Sequence, residues 1–206
     1  MDSIDKIFYI NLDKRHDRRQ EIEYELVNNF KYTRAERFPA IEYNPGCYGC
    51  SMSHISLFRK MIEQGWETMM VFEDDAQLLT NRESIDRYIN EFLNDGQLDI
   101  LCIGNHCKEY TSYNDHFERA FNTQSTSCYV LKKKFVKTLI ECYFNDPAMV
   151  YTLPTDSQEL QNHVGYIDVS WNPLQYSHYF VMPRERQVLQ RPSYSDIQNS
   201  FVHYGV

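Results

Sequence analysis

The chain has 206 residues, 42% of them hydrophobic, enough for one domain spanning 1–206 with a substantial core. Its formal net charge of −8 argues against a general affinity for nucleic acid or anionic membranes, so any phosphate binding must be local. No apolar run approaches the ~20 residues that span a bilayer, and Met1-Asp2-Ser3-Ile4-Asp5 lacks the basic and apolar regions of a signal peptide; the expected address is cytoplasmic, with peripheral membrane association left open.

Lys6-Ile7-Phe8-Tyr9-Ile10-Asn11-Leu12 reads as an apolar, aromatic-rich strand. It stops in Asp13-Lys14-Arg15-His16-Asp17-Arg18-Arg19, which launches a helix with Ile22, Leu26 and Phe30 on one side. Open α/β sheets bind ligands where a strand gives way to a loop and helix. Arg15, Arg18 and Arg19 are thus candidates for a nucleotide's phosphates, whose oxygens match the guanidinium fork. A solvated helix face is the plainer reading of the same charges. Residues 33–38 form a second short strand, and a loop follows into Gly46.

From Gly46 to Ser51 the sequence reads as a polar turn. It feeds an amphipathic helix with Met52, Ile55, Phe58, Met61 and Ile62 on one stripe and Gly65 as its stop. The run Thr68-Met69-Met70-Val71-Phe72 is too short for another helix and fits a buried parallel strand. It ends in Glu73-Asp74-Asp75. Three consecutive carboxylates repel one another and are poorly explained by packing. They make sense around a divalent cation or a cationic ligand. All-oxygen donors suit Mg²⁺ or Mn²⁺, which would offset charge on a departing diphosphate. A solvated acidic turn is the bland alternative.

Asn81 caps a helix carrying Ile85, Tyr88, Ile89, Phe92 and Leu93, closed by Gly96. Residues 98–104 are nearly all apolar and form a central strand. Residues 105–122 lack a period and read as a long surface loop near the site. Residues 127–131 are a strand and 132–144 a helix with Phe135, Leu139, Ile140 and Tyr143 inward. Thr155-Asp156-Ser157-Gln158 has capping-box form and opens a helix through Leu160 and Val164. Residues 177–183 give a short strand, and the Pro- and Ser-rich tail 190–197 wraps the surface. Strands alternating with helices give an α/β fold with a mainly parallel sheet.

The six cysteines are too few to be the main scaffold, and a cytosolic address implies thiols. Cys47-x-x-Cys50 has the spacing of a redox dithiol, or with Cys102 and Cys107 of a zinc site; local packing is the commoner role. Trp66 and Trp171 could stack on a sugar, though a buried anchor is tryptophan's usual fate.

Phe8-Tyr9-Ile10-Asn11-Leu12-Asp13 with Arg18-Arg19, Gly49-Cys50-Ser51-Met52-Ser53-His54, and Phe72-Glu73-Asp74-Asp75 together resemble glycosyltransferase family 25. That family includes lipopolysaccharide-biosynthesis galactosyltransferases and collagen hydroxylysine galactosyltransferases. Thr155-Asp156 resembles its Val-Asp and Ser195-Asp196-Ile197 its closing Ser-Asp-Ile, so the likeness spans residues 6 to about 197. It implies a GT-A-like nucleotide-diphospho-sugar transferase fold, a UDP-sugar donor (galactose by majority, glucose otherwise), Mn²⁺ dependence with Mg²⁺ as substitute, and inversion at the anomeric carbon. Glu73 and Asp75 would stand as first and third members of an Asp-x-Asp metal motif. Asn11, Arg18, Arg19, Ser53, His54 and Asp74 are the donor-side candidates. His54, just inside its helix, could donate to a phosphate or sugar oxygen, while Ser53 could simply cap the helix. Inverting displacement needs a base for the acceptor hydroxyl. Asp156 is the first candidate and Asp196 the second. His178 or His203 could complete the metal shell. The acceptor is a hydroxyl of a glycan or of hydroxylysine. Two alternatives stand beside this: a thiol oxidoreductase or zinc-stabilised module, and a silent relative that binds sugars.

Overall fold

The computed structural model describes residues 4–145, 166–198 and 200–203. Its strands are β1 (Lys6–Asn11), β2 (Glu36–Pro39), β3 (Thr68–Glu73), β4 (Ala76–Leu78), β5 (Ile100–Cys107), β6 (Tyr110–Ser112), β7 (Phe117–Ala120), β8 (Thr123–Lys132), β9 (Phe180–Pro183), β10 (Val188–Gln190), β11 (Ser193–Ser195) and β12 (Ser200–Val202). The helices are α1 (His16–Tyr24), α2 (Gly46–Gln64), α3 (Arg82–Asn94), α4 (Lys133–Asn145) and α5 (Ile167–Ser170). A π turn, Glu25–Asn29, extends α1.

Among the described residues, eight strands make one sheet in the order β2-β1-β3-β8-β5-β9-β7-β6. β1 runs parallel to β2 and β3, and β5 parallel to β9. β8 lies antiparallel between β3 and β5, and β7 is antiparallel to both β9 and β6. Six of the eight strands therefore point one way. The sheet is mixed in its pairings but mainly parallel in direction, as an α/β alternation requires.

Side chains alternate across the sheet with period two. On one face Ile7, Tyr9, Met70, Phe72 and Leu101 pack against Ile22 of α1 and Ile85, Ile89 and Phe92 of α3. On the other, Phe8, Ile10, Met69, Val71 and Ile100 meet Ile55, Phe58 and Met61 of α2 and Phe135, Val136 and Leu139 of α4. Asn81 caps α3 by accepting from the Ser84 amide at 2.9 Å, and Gly65 ends α2 with φ of +73°.

Five expectations change. The stretch 46–51 is helical, so α2 starts five residues before Ser51. Gly49 lets it do so, because a Cβ there would meet the Ile41 carbonyl oxygen at 2.4 Å. The segment 105–122 is not an irregular loop: β5 runs on to Cys107, and β6 and β7 extend the sheet edge, burying Phe117 and Ala120. The strand at 33–38 begins only at Glu36, and that at 177–183 at Phe180. The tail is no loose wrapping. β10 pairs with β4 directly beyond the acids, and β11 pairs with β12. The helix expected from Thr155 lies outside the described residues.

Candidate active site

β1 and β3 run side by side, and their C-terminal ends open into a cavity of about 510 Å³. Its lining includes Asn11, Arg15, Arg18, Glu73, Asp74 and Asp75, with Gln190 and Asp196 from the tail. This is the end of an open sheet at which ligands bind.

The pleat sends neighbouring acids to different partners. Glu73 continues the Met69–Val71 face toward α2. There it accepts a hydrogen bond from the Thr126 hydroxyl, and its Oε1 lies 3.6 Å from His54 Nε2. Asp74 turns toward α1. Its Oδ1 accepts from Arg18 Nη1 at 2.7 Å and its Oδ2 from Asn11 Nδ2 at 2.7 Å. Asp75 has Arg18 Nη1 at 3.3 Å and Gln190 Nε2 at 3.2 Å from Oδ2, while its buried Oδ1 has no hydrogen-bond partner among the described residues.

Burial raises Asp75 most, the charges of Glu73 and Asp74 add to it, and Arg18 and Gln190 only partly oppose them, so its carboxyl is pushed up to about 7. Burial likewise raises Asp74 despite Arg18 and Asn11. For Glu73 burial works upward too, but His54 and the Thr126 hydroxyl outweigh it and hold it below its usual value. Two of the carboxylates thus share one guanidinium while the third faces His54, an excess of negative charge that a divalent cation would relieve. The orphaned Oδ1 makes Asp75 the residue that fits one.

The other expected residues divide. Arg18, Asn11 and Asp74 come together, but on one another. Asn11 is buried, donating to Asp74 and to the Arg15 carbonyl and accepting from Arg37 Nε at 3.1 Å. Arg18 also donates to the Ser193 hydroxyl and the Tyr194 carbonyl, and Arg15 is paired with Asp17 and Asp196. Arg19 is exposed, bonded to Glu23 at 2.9 Å, and lines no part of the cavity. Ser53 is internal rather than a cap. It donates to the Gly49 carbonyl at 2.7 Å and accepts from the Ile41 amide at 2.8 Å, fixing the 41–43 segment to α2. Because α2 starts at Gly46, His54 lies beyond its first two turns and away from the helix end. It is fully buried, with Nδ1 2.7 Å from the Tyr129 hydroxyl.

Asp156 lies outside the described residues. Asp196 lines the cavity but is paired with Arg15. His178 sits at the opposite end of the sheet, 3.6 Å from Asp99 and against the Phe135 ring. His203 follows β12, whose Val202 lines the cavity. All six cysteines are free, and burial raises the Cys47 and Cys50 thiols, the reverse of a redox-active thiolate. Trp171 is a core anchor packed edge-on against Tyr129 and Phe180, and Trp66 packs on Phe8.

Sequence reasoning missed the tail residues Gln190, Arg191, Ser193 and Tyr194, which complete the clamp around the acids. It also missed Asp168, whose half-buried carboxylate accepts from the Ser125 amide at 2.9 Å. Asp168 lines a second cavity of about 540 Å³ that shares Cys50, Glu73 and Gln190 with the first. No helix among the described residues is long and apolar enough to cross a membrane.

A family model described as glycosyltransferase family 25 (LPS biosynthesis protein) matches residues 44–157, more than half of the chain and inclusive of α2 and the acids. There is no match among curated proteins. Similar solved structures include A197 from STIV, with 11% identity, TM-score 0.46 and coverage of 90% of this chain and 93% of that one. A glycosyltransferase involved in the glycosylation of the major capsid of PBCV-1 has 12% identity, TM-score 0.40 and coverage of 86% and 92%. An apo UDP-glucose pyrophosphorylase has 9% identity, TM-score 0.45 and coverage of 90% and 74%. At these scores the likenesses add nothing to the assignment.

Proposed function

The chain belongs to glycosyltransferase family 25, and from that membership we propose that it transfers a hexose, galactose in first place, from a UDP-sugar to a hydroxyl of a glycan or hydroxylysine-type acceptor, with inversion. A cytoplasmic address is part of the same proposal. The observation that carries it is the buried, unpartnered Asp75 Oδ1 at the mouth of the cavity, beside carboxylates that one arginine does not neutralise.

Asp75 would hold Mn²⁺ or Mg²⁺, with Glu73 behind it. When bound, the cation offsets the charge that builds on the departing diphosphate. Arg18 holds Asp74 and Asp75 in place from α1, and Asn11 orients Asp74 from the other side. Asn11 and Arg18 therefore shape the donor pocket by bracing the acids, which keeps the site rigid before the donor arrives. Arg15 and Lys14, both lining the cavity and both paired with Asp196, are the cations nearest to hand for a diphosphate. Asp156 is the base we assign to the acceptor hydroxyl.

The test is a melting screen of UDP, UDP-galactose and UDP-glucose with and without Mn²⁺, since a ligand bound to the folded state raises its melting point. The expected result is stabilisation by UDP-galactose that needs Mn²⁺. Equal melting points across all conditions would overturn the reading, as would a nucleotide effect indifferent to the cation.

A further inference from the structure

We infer that Cys50, His54 and Glu73 form a second cation site, for a borderline-soft ion of the Zn²⁺ kind, at the foot of the donor cavity. Cys50 and His54 stand one helical turn apart on α2, so they share a face. Glu73 meets that face from the end of β3. One ligand atom from each, the Cys50 sulfur, a His54 ring nitrogen and a Glu73 carboxylate oxygen, lies within 4.8 Å of the others. Thiolate, imidazole and carboxylate are the donors that zinc sites combine, three from the protein with a fourth position left over.

The independent pointer is His54. Its side chain has no solvent exposure. Nδ1 is engaged with the Tyr129 hydroxyl at 2.7 Å, whereas Nε2 faces Glu73 Oε1 at 3.6 Å, too far for a hydrogen bond, and has no other partner among the described residues. In the tautomer whose Nδ1–H donates to Tyr129, the Nε2 lone pair points at a carboxylate and a sulfur. A cation held between the three groups makes that arrangement favourable. A metal-bound histidine is usually oriented in this way, by a hydrogen bond made at its far ring nitrogen. Cys50 and Glu73 also line both cavities, which gives an ion a way in. On binding, the Cys50 thiol gives up its proton to solvent and the ion takes its place.

This site shares Glu73 with the proposed donor site but rests on α2 rather than on the UDP-sugar reading, and the test separates them. Co²⁺ is titrated into the full chain, and the near-ultraviolet thiolate-to-cobalt charge-transfer band is followed, with Zn²⁺ content measured after dialysis. We expect one equivalent of ion and a band that Zn²⁺ abolishes. Cys50→Ser should remove the band and weaken Zn²⁺ affinity by at least about 100-fold, His54→Gln should weaken it similarly, and Cys47→Ser should leave it in place. Asp75→Asn should keep the band while losing Mn²⁺-assisted UDP binding. A native chain without the band overturns the site, even if a variant fails to fold. So does a band that survives Cys50→Ser, or one lost in a folded Asp75→Asn chain, which would mean one shared ion.

Discussion

Arg18 Nη1 stands 2.7 Å from Asp74 Oδ1 and 3.3 Å from Asp75 Oδ2, so a single guanidinium on α1 holds two of the three acids at the end of β3. The pair with Asp74 is largely buried on both sides. Removing one partner of such a pair leaves the other as an uncompensated charge. Arg18→Met should therefore cost about 3–5 kcal/mol in urea melts, whereas the double change Arg18→Met with Asp74→Asn should recover part of that loss. A single variant as stable as the parent would show that the pair does not brace the site.

Asp75 should make stability depend on pH in cation-free buffer. An exposed or unfolded aspartate titrates near roughly 4, and in the folded chain burial and Glu73 push Asp75 up to about 7. Between those values the folded chain keeps a proton that the unfolded chain has lost. Stability from this group is therefore greatest and level below about pH 4, falls as pH rises to about 7, and is level again above that. Asp75→Asn should flatten the profile and raise the melting temperature at pH 8 on the order of 5 °C, with chelator present. A steeper profile in the variant would contradict the assignment.

Cation dependence should separate Asp75 from Asp74. Calorimetry of UDP with Mn²⁺ should show affinity lost in Asp75→Asn by on the order of 100-fold, because the orphaned Oδ1 is the group that fits the ion. Asp74 already has Arg18 and Asn11 as partners, so Asp74→Asn should weaken binding less. Equal losses would mean that both carboxylates ligate.

Gly49→Ala places a Cβ 2.4 Å from the Ile41 carbonyl oxygen and near the Tyr43 backbone. Overpacking against backbone costs about 1–3 kcal/mol. Residues 41–44 line the same cavity as the acids, so on the proposed function nucleotide affinity should fall along with the melting temperature. Preserved affinity in a destabilised variant would detach this segment from donor binding.

What the sequence made legible follows from how far each signal reaches. α2 and β3 carry a strong period or a continuous apolar run, and the acids stand at the strand end where they were expected. The start of α2 was obscured because the glycines at 46 and 49 carry turn propensity, and only the contact of Gly49 with Ile41 reveals a close-packed helix. All three residues of β6 are exposed, so no alternation betrayed a strand. Split allegiance among Glu73, Asp74 and Asp75 follows from the pleat, but the partners Thr126, Arg18 and Gln190 come from distant parts of the chain that no local pattern joins. The family resemblance pointed to Asn11, Arg18, Ser53 and Asp74, while their bonds to neighbouring groups inside the protein show only in the packed structure.

The Arg191 amide donates to the Asp75 carbonyl at 2.8 Å, and Ser193 and Tyr194 receive Arg18. The acids and their clamp are thus separated by more than a hundred residues of synthesis. A nascent chain whose translation has not passed Tyr194 carries its acids without that closure, so the capacity to bind nucleotide should switch on late, after the sheet itself can already form. Ribosome-bound chains stalled on either side of that point offer a direct way to watch the site come into being.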